Sequence, residues 1–142
     1  VDLQPDSKAW APIYFVCHDA PVILFQSPTL EHFLTELFRC DTPPHESAVD
    51  DVHEDRLFRV WTKNPGVLSR EECAASKDPE LRAFAAALEP GFQIVDLRSA
   101  AVGQGFSWGR YGPKTILRRH GRLPIFAYRK PPGLLRKLFG GS

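Results

Sequence analysis

A chain of 142 residues, 43% hydrophobic and 25% charged, is long enough for one core that buries about two thirds of its unfolded surface without disulfides or metals, and its composition excludes a wholly disordered polymer. The formal net charge of +1 hides a segregation: residues 1–96 hold all 17 carboxylates against eight Lys or Arg, whereas residues 97–142 hold ten Lys or Arg and no acid. No apolar run approaches the roughly 20 residues that span a bilayer, and no cationic segment leading into an apolar stretch opens the chain.

These features lead us to expect a cytoplasmic protein without a membrane span. The three cysteines, Cys17, Cys40 and Cys73, are widely spaced and odd in number, the pattern of reduced thiols rather than of a disulfide framework. Val1 stands first and the chain has no Met, as in a processed form or a fragment of a longer protein. We expect one α+β domain over residues 1–130, lacking an N-terminal part if the chain begins inside a longer protein, followed by a basic tail over residues 131–142. That domain should combine a small, mostly antiparallel sheet with three to four helices and a C-terminal hairpin.

Residues 1–9 are a polar lead. Residues 10–16, WAPIYFV, and 21–25, PVILF, are rich in β-branched and aromatic side chains and read as two strands that can pair as a hairpin across Cys17-His18-Asp19-Ala20. Ser27-Pro28 then opens a helix, with the serine as cap and proline at the first position. Leu30, Phe33, Leu34, Leu37 and Phe38 follow at spacings of three and four and predict one apolar face.

The run DTPPHES is a loop. Between Arg39 and Arg56 lie Asp41, Glu46, Asp50, Asp51, Glu54 and Asp55 with no base among them. Part of this charge suits the first turn of a helix over about residues 50–63; as a cluster it is also an acidic patch able to meet a basic partner. Asn64-Pro65-Gly66 ends that helix. Ser69 and Glu72 have capping-box spacing, Asp78-Pro79 starts a helix to residue 88, and residues 92–97 form a strand. Residues 116–119 and 125–128 are the arms of a hairpin turned at His120-Gly121-Arg122.

Residues 103–128 draw attention because five glycines are interleaved with Trp108, Tyr111, Phe126, Tyr128 and a run of bases. Gly103, Gly105 and Gly109 miss the dinucleotide fingerprint by one residue, and Pro113 forbids the helix that fingerprint needs. Gly-Phe-Ser-Trp-Gly around Ser107 matches a nucleophile elbow in letters but not in its strand-to-helix setting, leaving a serine hydrolase at Ser107 as a weak alternative to a non-enzyme. No ligand set has zinc spacing, so no metal and no cofactor is expected. Nucleic acid is the alternative partner: Arg110, Lys114, Arg118, Arg119 and Arg122 can neutralise phosphates while Trp108 and Tyr111 stack on bases.

Residues 12–39, with IYFV, PVILF and the helix SPTLEHFLTELFR, resemble the closing unit of the SUKH superfamily, the group related to fungal cell-wall assembly regulators. The matching positions are Ser27, Leu30, Glu31, Phe33 and Leu34; residues 40–142 lie beyond the family pattern. The resemblance implies an α+β fold and a non-catalytic, immunity-type protein that binds and neutralises a toxin. Its cognate toxin, if a nuclease, presents a basic substrate groove, and Asp50, Asp51, Glu54 and Asp55 are the residues expected to face it, since opposite potentials speed and orient association.

Overall fold

The computed structural model describes residues 12–17, 19–109 and 114–130. Strand β1 (Ile13–Cys17) pairs antiparallel with β2 (Val22–Ser27), Tyr14 opposite Phe25 and Cys17 opposite Val22, as the two apolar runs predict. The far side of β2 is taken by β5 (Gly105–Ser107), with Leu24 opposite Gly105 and Val22 opposite Ser107. A second antiparallel sheet has the order β3 (Leu68–Ser69), β4 (Gln93–Asp96), β7 (Ile125–Arg129), β6 (Ile116–Arg119). The fold is α+β, with its strands divided between two sheets of three and four strands.

The division follows from how each strand buries its two faces. Ile23 and Phe106 of the first sheet meet Val95, Phe126 and Tyr128 of the second, and Phe106 lies 5.4 Å from Phe126 and 5.7 Å from Tyr128 between ring centroids. One residue along, Val22 and Leu24 point the other way, to Val52, Leu57 and Val60. In the second sheet Ile94, Ile125 and Ala127 turn outward to Cys73, Leu81, Phe84, Ala85 and Leu88. Strict two-residue alternation thus gives four layers, helix, sheet, sheet, helix, in which β2 and β7 are apolar on both faces.

The outer helix of the first sheet runs over residues 48–63 in three segments: α2 (Ala48–Asp51), a π-helical stretch (Val52–Arg56) and α3 (Leu57–Lys63). Its buried residues are Val49, Val52, Leu57 and Val60, spaced by three, five and three. A regular α-helix cannot keep positions five apart on one stripe. The i→i+5 bond from Leu57 N–H to the Val52 carbonyl absorbs the extra residue, so His53, Glu54, Asp55 and Arg56 all stay exposed. On the opposite side, α4 (Arg70–Ala74) begins with the expected capping box between Ser69 and Glu72. Helix α5 (Pro79–Ala87) begins with Asp78 accepting from Glu80 N and Leu81 N.

Helix α1 (Leu30–Cys40) departs from expectation twice. Its cap is Thr29, which accepts from His32 N; Ser27 is the last residue of β2, buried, with its hydroxyl 2.9 Å from His32 Nδ1. More consequentially, α1 buries none of its residues. Its polar side docks: Glu36 accepts from Ala48 N at 3.0 Å, and the Cys40 thiol donates to Asp50 at 2.9 Å. The sheet face that the apolar stripe was expected to cover is already covered by the 48–63 helix.

Candidate protein interface

The apolar stripe of α1 consequently faces outward. Leu34, Leu37 and Phe38 are 41%, 43% and 71% exposed, and on α3 Phe58 and Trp61, 6.3 Å apart between ring centroids, are 60% and 41% exposed. Isolated apolar side chains on a surface mean little, whereas a helix stripe held outward by polar anchors is a surface awaiting cover.

The acidic residues singled out in the sequence lie on the 48–63 helix, N-terminal to Phe58 and Trp61, and that helix meets α1 through Asp50. Asp50 sits where α2 meets α1, bonded to Cys40, and Asp51, Glu54 and Asp55 are exposed. Asp50 with Glu54, and Asp51 with Asp55, form two adjacent rows on the 48–63 helix. The distance along the axis from Asp50 to Trp61 is about 16 Å at helical rise. His53 is held back by packing its ring against Phe15 at 4.3 Å. The hydrogen bond to Asp50, followed by burial and the Asp50 charge, raises the Cys40 thiol above its ordinary pKa.

The basic set is dispersed. Arg118 pairs opposite Ala127 and Arg119 opposite Phe126 on β6, so these neighbours point to opposite faces of the sheet. The Arg119 guanidinium is tied to the carbonyls of Leu123 and Arg122 and lies 5.7 Å from the Phe126 ring. Lys114, Arg118 and Arg122 are exposed; Trp108 packs against the core between the sheets. Arg110 and Tyr111 lie outside the described residues, as does the tail over 131–142. Other bases of the last third answer acids of the first two: Arg98 bridges Asp78 at 2.7 Å and Asp96 at 2.6 Å, and Arg129 bridges Glu89.

Ser107 is a core residue of β5. It is fully buried, its hydroxyl 3.3 Å from the Pro21 carbonyl, and among the described residues no titratable side chain is a hydrogen-bond partner of that hydroxyl. Its backbone is held by Asn64, which follows α3 with φ 44°. Asn64 Oδ1 accepts from Ser107 N at 2.8 Å while Asn64 Nδ2 donates to Ser107 O at 3.2 Å and to the Tyr128 hydroxyl at 2.7 Å. Among the described residues no three His, Cys, Asp or Glu side chains are grouped to hold a metal, and no helix is long and apolar enough to cross a membrane.

Sequence reasoning found the acids through their run of like charge but missed the outward aromatics, because apolar helical spacing ordinarily marks a core face. The only hint in the sequence was an excess: two amphipathic helices, α1 and the 48–63 helix, for one small sheet face. Comparisons with protein-family models, curated proteins and solved structures returned no match.

Proposed function

We propose that this chain is a non-catalytic protein-binding module of the bacterial immunity type, which uses α1 and the exposed side of the 48–63 helix to bind and neutralise a basic toxin. The observation that carries the reading is the outward stripe Leu34, Leu37 and Phe38 on α1, together with the exposed carboxylates of Asp51, Glu54 and Asp55 on the helix that α1 docks against through Ala48 and Asp50. Exposed aromatics supply anchors for a partner's apolar pockets, and the acidic rows supply opposite potential to a basic groove. The resemblance of residues 12–39 to the SUKH superfamily supports the same reading, because Leu30, Phe33 and Leu34 of its motif belong to α1.

The test is capture from lysate of the protein's own source, with and without nuclease, followed by affinity measurement on the protein retained. Retention of one discrete basic protein after nuclease treatment is expected. Phe38→Asp should weaken its affinity about 30-fold or more, as loss of a central anchor does. Glu54→Lys with Asp55→Lys should slow association and invert its salt dependence. Unchanged affinity in both variants would refute this interface, and capture that vanishes with nuclease would transfer the function to nucleic acid.

A further inference from the structure

A cleft of about 270 Å³ opens beside the 48–63 helix, between its second half, the 64–66 turn and the chain from Val95 to Gly105. Its apolar lining comes from Val60, Pro65, Leu97 and Val102, and Arg56 and Arg59 line it from the same helix as Val60. Both arginines are exposed, and among the described residues neither side chain makes a hydrogen bond or an ion pair. Asp55, one turn before Arg59, makes no ion pair with it.

The stem of Arg56 is held in place. The methylenes of Arg56 lie on the backbone of Gly103, where an added Cβ would come within 2.6 Å of Arg56 Cγ. Gly103 is itself fixed, with φ +82° and its N–H donating to the Phe25 carbonyl at 2.8 Å. Gln104 closes the loop through Ala101 N to Gln104 Oε1 at 2.7 Å. The acid at the rim, Asp96, has both oxygens bonded to Arg98, so its charge is already answered, whereas those of Arg56 and Arg59 are not.

From this geometry we infer that the cleft is a binding site for a small organic carboxylate: its anionic head is met by the guanidiniums of Arg56 and Arg59 and its apolar body lies against Val60, Leu97 and Val102. Arginine suits this task because its planar fork matches a carboxylate bidentately, and a concave apolar wall with a few convergent polar groups is the usual form of a small-ligand site. The site is separate from the α1 stripe and stands or falls independently of the protein-binding reading.

The experiment is titration of the isotope-labelled chain with benzoate, benzamide and inorganic phosphate, read from the arginine Nε–H and the Gly103 and Gly105 amide resonances. Benzoate should give saturable shifts with Kd about 1 mM, the affinity of a fragment of its size, and benzamide and phosphate should each bind about tenfold more weakly or worse. Arg56→Gln and Arg59→Gln should each cost about tenfold for benzoate with an unchanged melting temperature, since both side chains are exposed. Gly103→Ala, which displaces the Arg56 stem, should do the same at a lower melting temperature. Any of three results overturns the proposal: no saturable benzoate shift, benzamide or phosphate binding as tightly as benzoate, or both arginine variants binding as the parent does.

Discussion

Asn64 offers the sharpest test of how the layers are joined. Its amide serves the N–H and the C=O of Ser107 as a neighbouring strand would, and its Nδ2 reaches across to Tyr128 of the other sheet. Asn64→Gly keeps the left-handed backbone but removes the amide, leaving two backbone groups of a fully buried residue without that partner. An unanswered buried group costs about 1–3 kcal/mol, so we expect a loss of about 3 kcal/mol. Asn64→Ala removes the same amide and adds the steric cost of alanine at positive φ, about 1 kcal/mol more. In urea unfolding followed by circular dichroism, with a slope of about 2 kcal/mol/M, the glycine variant should lose about 1.5 M of midpoint and the alanine variant about 2 M. A glycine variant within about 0.5 kcal/mol of the parent, or an alanine variant more stable than the glycine one, would refute the junction.

Gly105→Ala should cost more than the usual 1–3 kcal/mol of overpacking, roughly, because its Cβ would lie 1.9 Å from the Ile23 carbonyl oxygen, a backbone atom that cannot step aside; urea unfolding at parental midpoint would contradict this. The Asp78–Arg98–Asp96 bridge should make stability acid-sensitive. Hydrogen bonding from Arg98 holds Asp78 below the ordinary aspartate value of 3.8, and Asp96 is held low by the same partner although burial pushes it up. A depressed carboxylate stabilises the fold fully above the unfolded value and loses that contribution as pH falls through the folded one. Melting temperatures of the parent and Arg98→Gln should therefore differ at pH 6, and the gap should narrow as the pH falls below the ordinary aspartate value of 3.8; a constant gap would count against the bridge. Leu34→Ser and Phe38→Ser should each change stability by less than about 0.5 kcal/mol, whereas Phe106→Ala should cost about 3–5 kcal/mol. Comparable losses at all three would mean that the α1 stripe is not free.

Short-range chemistry made much of the fold legible. The capping residues Ser69 and Asp78, the stop at Asn64 and the hairpin turned at Gly121 are each decided within a few residues, and each stands where the sequence puts it. Three features needed distant partners. Gly105 to Ser107 reads as a glycine-rich loop because nothing in GFS announces a strand; it becomes one by lying against Leu24, where only glycine permits the approach. The apolar stripe of α1 reads as a core face because a helix cannot tell from its own spacing that another has taken the sheet. The five-residue gap between Val52 and Leu57 could have been seen, since it breaks the period of a helix whose other buried positions keep it. The acidic cluster was legible through charge alone, while the cleft at Arg56 and Arg59 depends on Gly103, 47 positions beyond Arg56 and fixed by Phe25.

The path of the chain between the two sheets bears on how the protein assembles. It lays down β1 and β2 in the first sheet, crosses to β3 and β4 in the second, returns for β5, and crosses again for β6 and β7. Neither sheet can be completed before the other has begun, and the pairing of Val22 with Ser107 must close a loop containing two of the four strands of the second sheet, β3 and β4. Such distant closure carries an entropic cost before any contact rewards it and slows the transition state. Folding of the first sheet should therefore be limited by the docking of β5, and the described strands should melt in one cooperative step rather than sheet by sheet.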